Sequence, residues 1–125
     1  MIQGFWHPLS PNVPLIQLAV AWEQSVTDPY FLVDTGFSGD LKVTAKIAED
    51  LGLEPIGIEP ITNMNGEVVD TPVALGYVEM EGEKKAVSIL ISAGPHMAGI
   101  GLYTKFCYKV QVNCKNRTIE LHKML

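Results

Sequence analysis

The residues best suited to chemistry in this sequence are Asp34-Thr35-Gly36, which directly follow the apolar run Tyr30–Val33. That run is typical of a strand buried on both faces. A carboxylate at the end of such a strand loses hydration, which favours its protonated form unless hydrogen bonds or a cation hold the charge. The alternative is a strand followed by an Asx-type turn, since a three-residue motif is weak by itself.

Two segments further along the chain favour the chemical interpretation. Asn65-Gly66 predicts a two-residue hairpin turn because both residues tolerate positive φ, and that hairpin could cover Asp34. Met97-Ala98-Gly99 is an apolar pair followed by glycine, and it precedes a possible short helix over Leu102–Phe106. The three segments together are more specific than any one of them.

This order of segments resembles that of the retropepsin-like aspartic proteases: an Asp-Thr-Gly loop, a flap hairpin, and a glycine that braces the catalytic loop. Phe37 directly after Gly36 is similar to a prokaryotic branch of that clan, and the resemblance covers roughly residues 15–121. It implies a mostly β fold, a retropepsin-like acid protease barrel of a single lobe with one or two short helices. It also implies an aspartic endopeptidase that needs neither cofactor nor metal.

The resemblance assigns roles to individual residues. Asp34 is the catalytic carboxylate, Thr35 joins two catalytic loops, and Gly36 permits close packing and offers its N–H to the catalytic pair. A peptide or protein substrate is expected to bind as an added strand. The residues implied for substrate binding are Asn63, Met64, Asn65, Gly66 and Glu67 of the flap, together with Gly99.

The chain has one Asp-Thr-Gly, whereas the implied reaction needs two carboxylates that share a water and a proton. We therefore expect a homodimer in which Asp34 meets Asp34 of a second copy across a two-fold axis. Asp40 and Asp70 are weaker candidates for the second acid. We expect Asp40 to be a solvated residue at a strand start and Asp70 to lie beside the flap.

Three departures from the family pattern leave an alternative open. Phe37 is bulky where alanine is usual, and Ile100-Gly101-Leu102 carries no charged residue, so an ion pair expected after Gly99 is absent. The chain ends give no clear sign of the terminal interface strands of the viral members. The alternative is a non-catalytic retropepsin-fold module for peptide binding or protein interaction.

Other nucleophilic or metal chemistry is poorly supported. Ser38 lacks the Gly-x-Ser-x-Gly spacing of a nucleophile elbow, and we expect it to be a turn residue and His96 a solvated loop histidine. Cys107 and Cys114 lack Cys-x-x-Cys spacing, so we expect two small, partly buried apolar residues and no metal site.

The elements that position these residues are expected to be short. Eleven Gly and eight Pro separate the apolar runs, which predicts about seven strands. Leu15–Val20 is expected to form one of them. Thr44–Leu51 predicts a helix capped by Thr44 and ended by Gly52. A second hairpin is expected around Glu81–Glu83, and a last strand pair over Val110–Asn113 and Thr118–Leu121.

Composition limits the classes of protein. The 125 residues are 47% hydrophobic and 18% charged, which excludes a disordered chain and indicates one domain spanning residues 1–125. A net charge of -5 argues against a nucleic-acid partner. No apolar run is long enough for a membrane span, and we expect no secretory signal, since residues 1–8 lack a basic start followed by an apolar run. We expect a cytoplasmic protein.

Overall fold

The structure is a computed structural model that describes residues 1–10 and 12–125. The described residues form thirteen strands and two short helices, more strands than the sequence predicts. The strands are β1 (Ile2–Gln3), β2 (Phe5–Trp6), β3 (Pro14–Gln17), β4 (Ala19–Trp22), β5 (Ser25–Thr27), β6 (Tyr30–Val33), β7 (Leu41–Val43), β8 (Pro55–Thr62), β9 (Val68–Met80), β10 (Glu83–Ile91), β11 (Met97–Ala98), β12 (Tyr108–Asn113) and β13 (Thr118–Lys123). The helices are α1 (Ala45–Leu51) and α2 (Ile100–Phe106).

The main sheet curls upon itself. Its strand order is β2-β3-β6-β11-β7-β10-β9-β4-β5, with β8 paired to β9. Strands β3 and β4 are separated by Leu18 alone, yet they lie near opposite ends of this order, so the sheet must bend round to bring its ends together. The buried side chains of Ile16, Val20, Phe31 and Val78 lie in the enclosed core. The expectation of a mostly β, barrel-like fold is confirmed.

Strand β6 supports the catalytic candidate, although its burial differs from the prediction. Phe31 and Val33 are buried, whereas Tyr30 is exposed and Leu32 is half-buried. The strand therefore has one core face and one open face, which is the alternation of a half-buried strand. The apolar run at Leu15–Val20 also differs from the prediction of a single strand. The Leu18 N–H donates to the Pro29 carbonyl, and Leu18 separates the run into β3 and β4.

Local signals correctly predict α1 and the hairpin between β9 and β10. The Thr44 hydroxyl accepts the N–H of Ile47, and Gly52 ends α1 with φ of 72°. Glu81 and Gly82 both have positive φ, as a two-residue turn of this hairpin requires. The last strand pair, β12 and β13, is also confirmed.

The two ends of the chain meet in a separate sheet. Its order is β1-β13-β12, with Ile2 opposite Leu121. The sequence gives no clear sign of terminal strands, because two residues such as Ile2–Gln3 carry no detectable periodicity. In the described part of the chain, no helix is long and apolar enough to cross a membrane.

Candidate active site

Asp34 lies at the end of β6, where hydrogen bonds fix both its backbone and its side chain. Its N–H donates to the Ala98 carbonyl at 3.1 Å, and its Oδ1 accepts the Gly36 N–H at 2.9 Å. Asp34 is half-buried, and Thr35 and Gly36 beside it are exposed. The carboxylate is thus held in one orientation at an open edge of the chain.

A second segment crosses the Asp34 loop and braces it. Three consecutive N–H groups of this segment donate to carbonyls of the loop. The Gly99 N–H bonds to the Asp40 carbonyl at 2.9 Å, and the Ile100 N–H bonds to the Phe37 carbonyl at 2.8 Å. The Gly101 N–H bonds to the Gly39 carbonyl at 3.1 Å. A Cβ on Gly99 would lie 2.5 Å from the Phe37 carbonyl oxygen, so only glycine fits. Gly99 is itself buried, and the structure places it behind the loop rather than in the cleft.

Phe37 is accommodated by the glycines around it. Its ring lies over Gly39, where a Cβ would come within 2.6 Å of the ring, and against Gly99. The side chain is half-buried and contributes to the wall of the cleft beside Asp34. The bulk that departs from the family pattern therefore fills space that Gly39 and Gly99 leave open.

Asp40 is buried and ion-paired, which corrects the expectation of a solvated residue. Its Oδ2 accepts the Ser88 N–H at 2.9 Å and the Lys105 ammonium at 2.5 Å. The uncharged residues Ile100-Gly101-Leu102 predict that no ion pair forms after Gly99, but Lys105 supplies one from the last turn of α2. The sequence does not predict this ion pair, because Lys105 lies 65 residues from Asp40.

Tyr103 is a further buried group behind the loop that sequence reasoning did not single out as part of the site. Its hydroxyl donates to the Ala98 carbonyl at 3.2 Å, the same oxygen that accepts the Asp34 N–H. Burial, and secondarily the negative charge of Asp34, raise the pKa of Tyr103 above its ordinary value. Tyr103 therefore stays protonated and remains a hydrogen-bond donor.

His96 lies in a loop before β11, as predicted, but the expectation that it is solvated is wrong. Its ring is half-buried, lies 5.7 Å from that of Phe31 and contacts the Thr44 hydroxyl through Nε2 at 3.3 Å. Burial lowers the pKa of His96, and the nearby charge of Lys42 lowers it further. His96 thus positions the start of α1 and supports β6, since its carbonyl accepts the Leu32 N–H.

A cavity of about 710 Å³ lies in front of Asp34. Its wall includes the loop residues Asp34, Gly36 and Phe37 on one side and Asn63 and Met64 of the hairpin on the other. The rest of the lining is Lys42, Ile61, Thr62, Thr71, Leu90, Ser92, Ala93, Pro95 and Met97. Among these described residues the charged groups are Asp34 and Lys42, on a mainly apolar surface.

The hairpin of β8 and β9 covers this cavity, but its tip is not the two-residue turn that Asn65-Gly66 predicts. The Asn63 N–H donates to the Glu67 carbonyl and the Gly66 N–H to that of Asn63, which encloses a three-residue loop, Met64–Gly66. Gly66 alone takes positive φ, at 78°. Asn63 Oδ1 accepts the N–H groups of Asn65 and Glu67 and so fixes this longer loop.

The residues predicted to bind substrate therefore lie partly at the cavity and partly outside its lining. Asn63 and Met64 border the cavity, while Asn65, Gly66 and Glu67 are exposed at the hairpin tip outside its lining. Thr35 is exposed beside Asp34 rather than part of the lining. The structure thus brings Asp34, Gly36, Asn63 and Met64 together around one cleft.

Cys107 and Cys114 are both exposed free thiols, which corrects the expectation of partly buried side chains. Cys107 takes the left-handed conformation that ends α2, and the strand β12 separates the two residues. Residues 1–10 and 12–125 contain no group of three or more His, Cys, Asp or Glu that could hold a metal ion.

Comparison with known proteins gives structural matches only. No protein-family model and no curated protein sequence match this chain. EIAV protease complexed with the inhibitor HBY-793 is similar, with a TM-score of 0.64 and 16% identity over 79% of this chain and 91% of that one. A retropepsin-like aspartic protease from Rickettsia conorii has a TM-score of 0.60 and 18% identity over 98% and 89%. These similarities establish the fold.

Proposed function

We propose that this chain, whose fold is retropepsin-like, is an aspartic endopeptidase with an active site assembled from two copies. Asp34 is the proposed catalytic carboxylate, and the scissile bond of a peptide or protein substrate lies in front of it. The observation that carries the proposal is the placement of Asp34, fixed and half-buried on one wall of an open apolar cleft.

The need for a second copy follows from the charges of the cleft. Asp34 is the one carboxylate among the described residues that line it. Asp40, which follows in the same loop, is buried and already paired with Lys105, so it is not available as a partner. Since two carboxylates are required, the exposed Thr35–Gly36 segment beside Asp34 is the proposed surface across which the second loop packs.

The proposed chemistry is general acid–base catalysis. Two carboxyl groups at hydrogen-bond distance hold one proton between them, because both cannot ionise together. The ionised group takes a proton from a water that attacks the scissile carbonyl, and the protonated group donates to the carbonyl oxygen. The Gly36 N–H already occupies Asp34 Oδ1, which leaves Oδ2 for the water and the partner carboxyl.

The hairpin of β8 and β9 is the proposed flap. Its apolar side chains Ile61 and Met64 line the cleft, and Met64 is fully exposed. Closure over an extended peptide would remove this surface from water and exclude solvent from the reaction.

Replacement of Asp34 tests the proposal. Asp34→Asn should abolish hydrolysis of a denatured-protein or mixed-peptide substrate and keep the fold, because the amide preserves the volume and can accept the Gly36 N–H. The matched control is Asp50→Asn on the exposed face of α1, which should retain wild-type activity. Activity that survives in Asp34→Asn would refute the proposal. Peptide binding by the wild type without any hydrolysis would establish the non-catalytic module instead.

A further inference from the structure

Lys42 is a cation in the cleft that has no acidic partner among the residues that the structure describes. It lies in the middle of β7, whose flanking residues Leu41 and Val43 point into the core. Its neighbours across the sheet are Leu90 of β10 and Met97 of β11, and all three residues line the cavity. The ammonium stem therefore rises from an apolar floor rather than from the outer surface.

Within the described part of the chain, no carboxylate lies within the 4.0 Å of an ion pair with the Lys42 ammonium. This contrasts with Lys46, Lys85, Lys105 and Lys123, which each contact an acidic side chain. Partial burial lowers the pKa of Lys42, since the charged form has lost part of its hydration. A charge in this state gains from a carboxylate that arrives with a ligand.

We infer that Lys42 selects peptides with an acidic side chain, Asp or Glu, at the position that binds over β7. This inference rests on the proposed function, because it names the substrate class of the same cleft. Asp34 also lines the cleft, but among the described residues no ion pair joins its carboxylate to the Lys42 ammonium.

The strand order places the acidic position close to the scissile bond. Strand β11 alone separates β7 from β6, which carries Asp34 at its end. Two strand spacings amount to about 10 Å, which an extended peptide covers in about three residues. The acidic residue is therefore expected within about three residues of the cleaved bond, on the side of the peptide that faces the sheet.

The test uses decapeptide libraries that are degenerate in apolar residues and carry Glu, Gln or Lys at one fixed position, with one set of three libraries for each position within three residues of the centre. The wild type should cleave the best Glu library about tenfold more efficiently in kcat/KM than its Gln counterpart, because only Glu offers a charged acceptor for a hydrogen bond from the Lys42 ammonium. Lys42→Met should remove this ratio, so that the variant cleaves the Glu and Gln libraries with equal efficiency. Lys42→Glu should reverse the preference toward a third library with Lys at that position.

The matched control is Lys115→Met, which removes an equal charge from the exposed turn between β12 and β13. It should keep the Glu preference. Cleavage with equal efficiency for Glu and Gln, or a preference that survives in Lys42→Met, would overturn the inference and leave the proposed function intact.

A binding measurement separates the two claims. The affinities of the Glu and Gln libraries are measured by fluorescence anisotropy for Asp34→Asn and for the same chain with Lys42→Met. Selective binding of Glu that depends on Lys42, together with a wild type that cleaves none of the libraries, would support the acidic site and refute the protease. If the wild type cleaves no library and binding does not depend on charge, both the protease and the acidic site are refuted.

Discussion

At the scale of single residues, the candidate site depends on groups that lie outside the lining of the cavity. Lys105, Gly99 and Tyr103 hold the Asp34 loop through an ion pair with Asp40, a steric fit and a shared carbonyl acceptor respectively. Each contact joins the loop to α2 or to the segment before it. The position of the Asp34 carboxylate is therefore set by residues more than sixty positions away in sequence.

Removal of the Lys105 ammonium should destabilise the fold. Lys105→Met leaves the Asp40 carboxylate buried with the Ser88 N–H as its remaining donor, and we expect a loss of about 1–3 kcal/mol in the free energy of unfolding. The control is Lys46→Met, which breaks an exposed ion pair with Asp50 and should cost less than about 0.5 kcal/mol. Urea denaturation measures both, and equal losses would contradict this role of Asp40.

A methyl group at Gly99 should disrupt the brace. Because a Cβ there meets the Phe37 carbonyl oxygen at 2.5 Å, Gly99→Ala should lower the free energy of unfolding by about 2 kcal/mol or more. Gly57→Ala is the comparison, since its Cβ would make an ordinary 3.6 Å contact with Val73 and change stability by less than about 0.5 kcal/mol. A neutral Gly99→Ala would show that the crossing segment is not closely packed.

The histidine behind β6 makes stability depend on pH. Burial lowers the pKa of His96 below its ordinary value of 6.5, so the unfolded chain binds more protons at this group than the folded one. The contribution of His96 to the free energy of unfolding is complete above pH 6.5. It is lost as the pH falls through the lower pKa that His96 has in the folded chain. His96→Gln should flatten the fall in melting temperature between about pH 7 and pH 5, whereas an unchanged profile would contradict this assignment.

At the scale of elements, the hairpin tip shows where local sequence signals fail. Asn65-Gly66 is a strong two-residue turn signal, yet Asn63 Oδ1 binds two N–H groups of the tip and stabilises a loop that is one residue longer. The same kind of signal succeeds at Glu81-Gly82, where no side chain bonds to the backbone of the turn among the described contacts. Side-chain capping decides between the two outcomes.

Loss of the Asn63 amide should loosen the flap without unfolding the protein. Asn63→Ala removes the acceptor for the Glu67 N–H, so hydrogen exchange at the Glu67 amide should accelerate about tenfold, while core amides keep their protection. Asn116→Ala, in the opposite exposed turn, should leave the Glu67 amide unchanged. Unaltered exchange at Glu67 in the Asn63 variant would show that the Asx contact does not hold the tip.

The elements that sequence predicts well are those specified by neighbours along the chain. Helix α1 follows from Thr44 and Gly52, and β6 with its Asp-Thr-Gly loop follows from an apolar run and a glycine. The burial of Asp40 could not be predicted in this way, because its partner on α2 is distant in sequence. The unpaired Lys42 was likewise visible only once the sheet placed it beside Leu90 and Met97.

At the scale of the whole molecule, the curled sheet and the hairpin of β8 and β9 form a cleft that supplies half of the groups that the proposed reaction needs. Its described residues supply one carboxylate, an apolar lining and a cover with exposed apolar side chains. A symmetric dimer of this chain would add a second Asp34, a second flap and a second Lys42 around one two-fold axis. The proposed enzyme is therefore a property of two chains together.

The most direct test of this account is to titrate a fixed amount of wild type with Asp34→Asn and to measure peptide hydrolysis. If the two chains exchange and share one site, an equal amount of the variant should reduce the activity to about half, and a ninefold excess to about a tenth, because mixed dimers lack one carboxyl. Activity that stays constant throughout the titration would contradict a site shared between two copies.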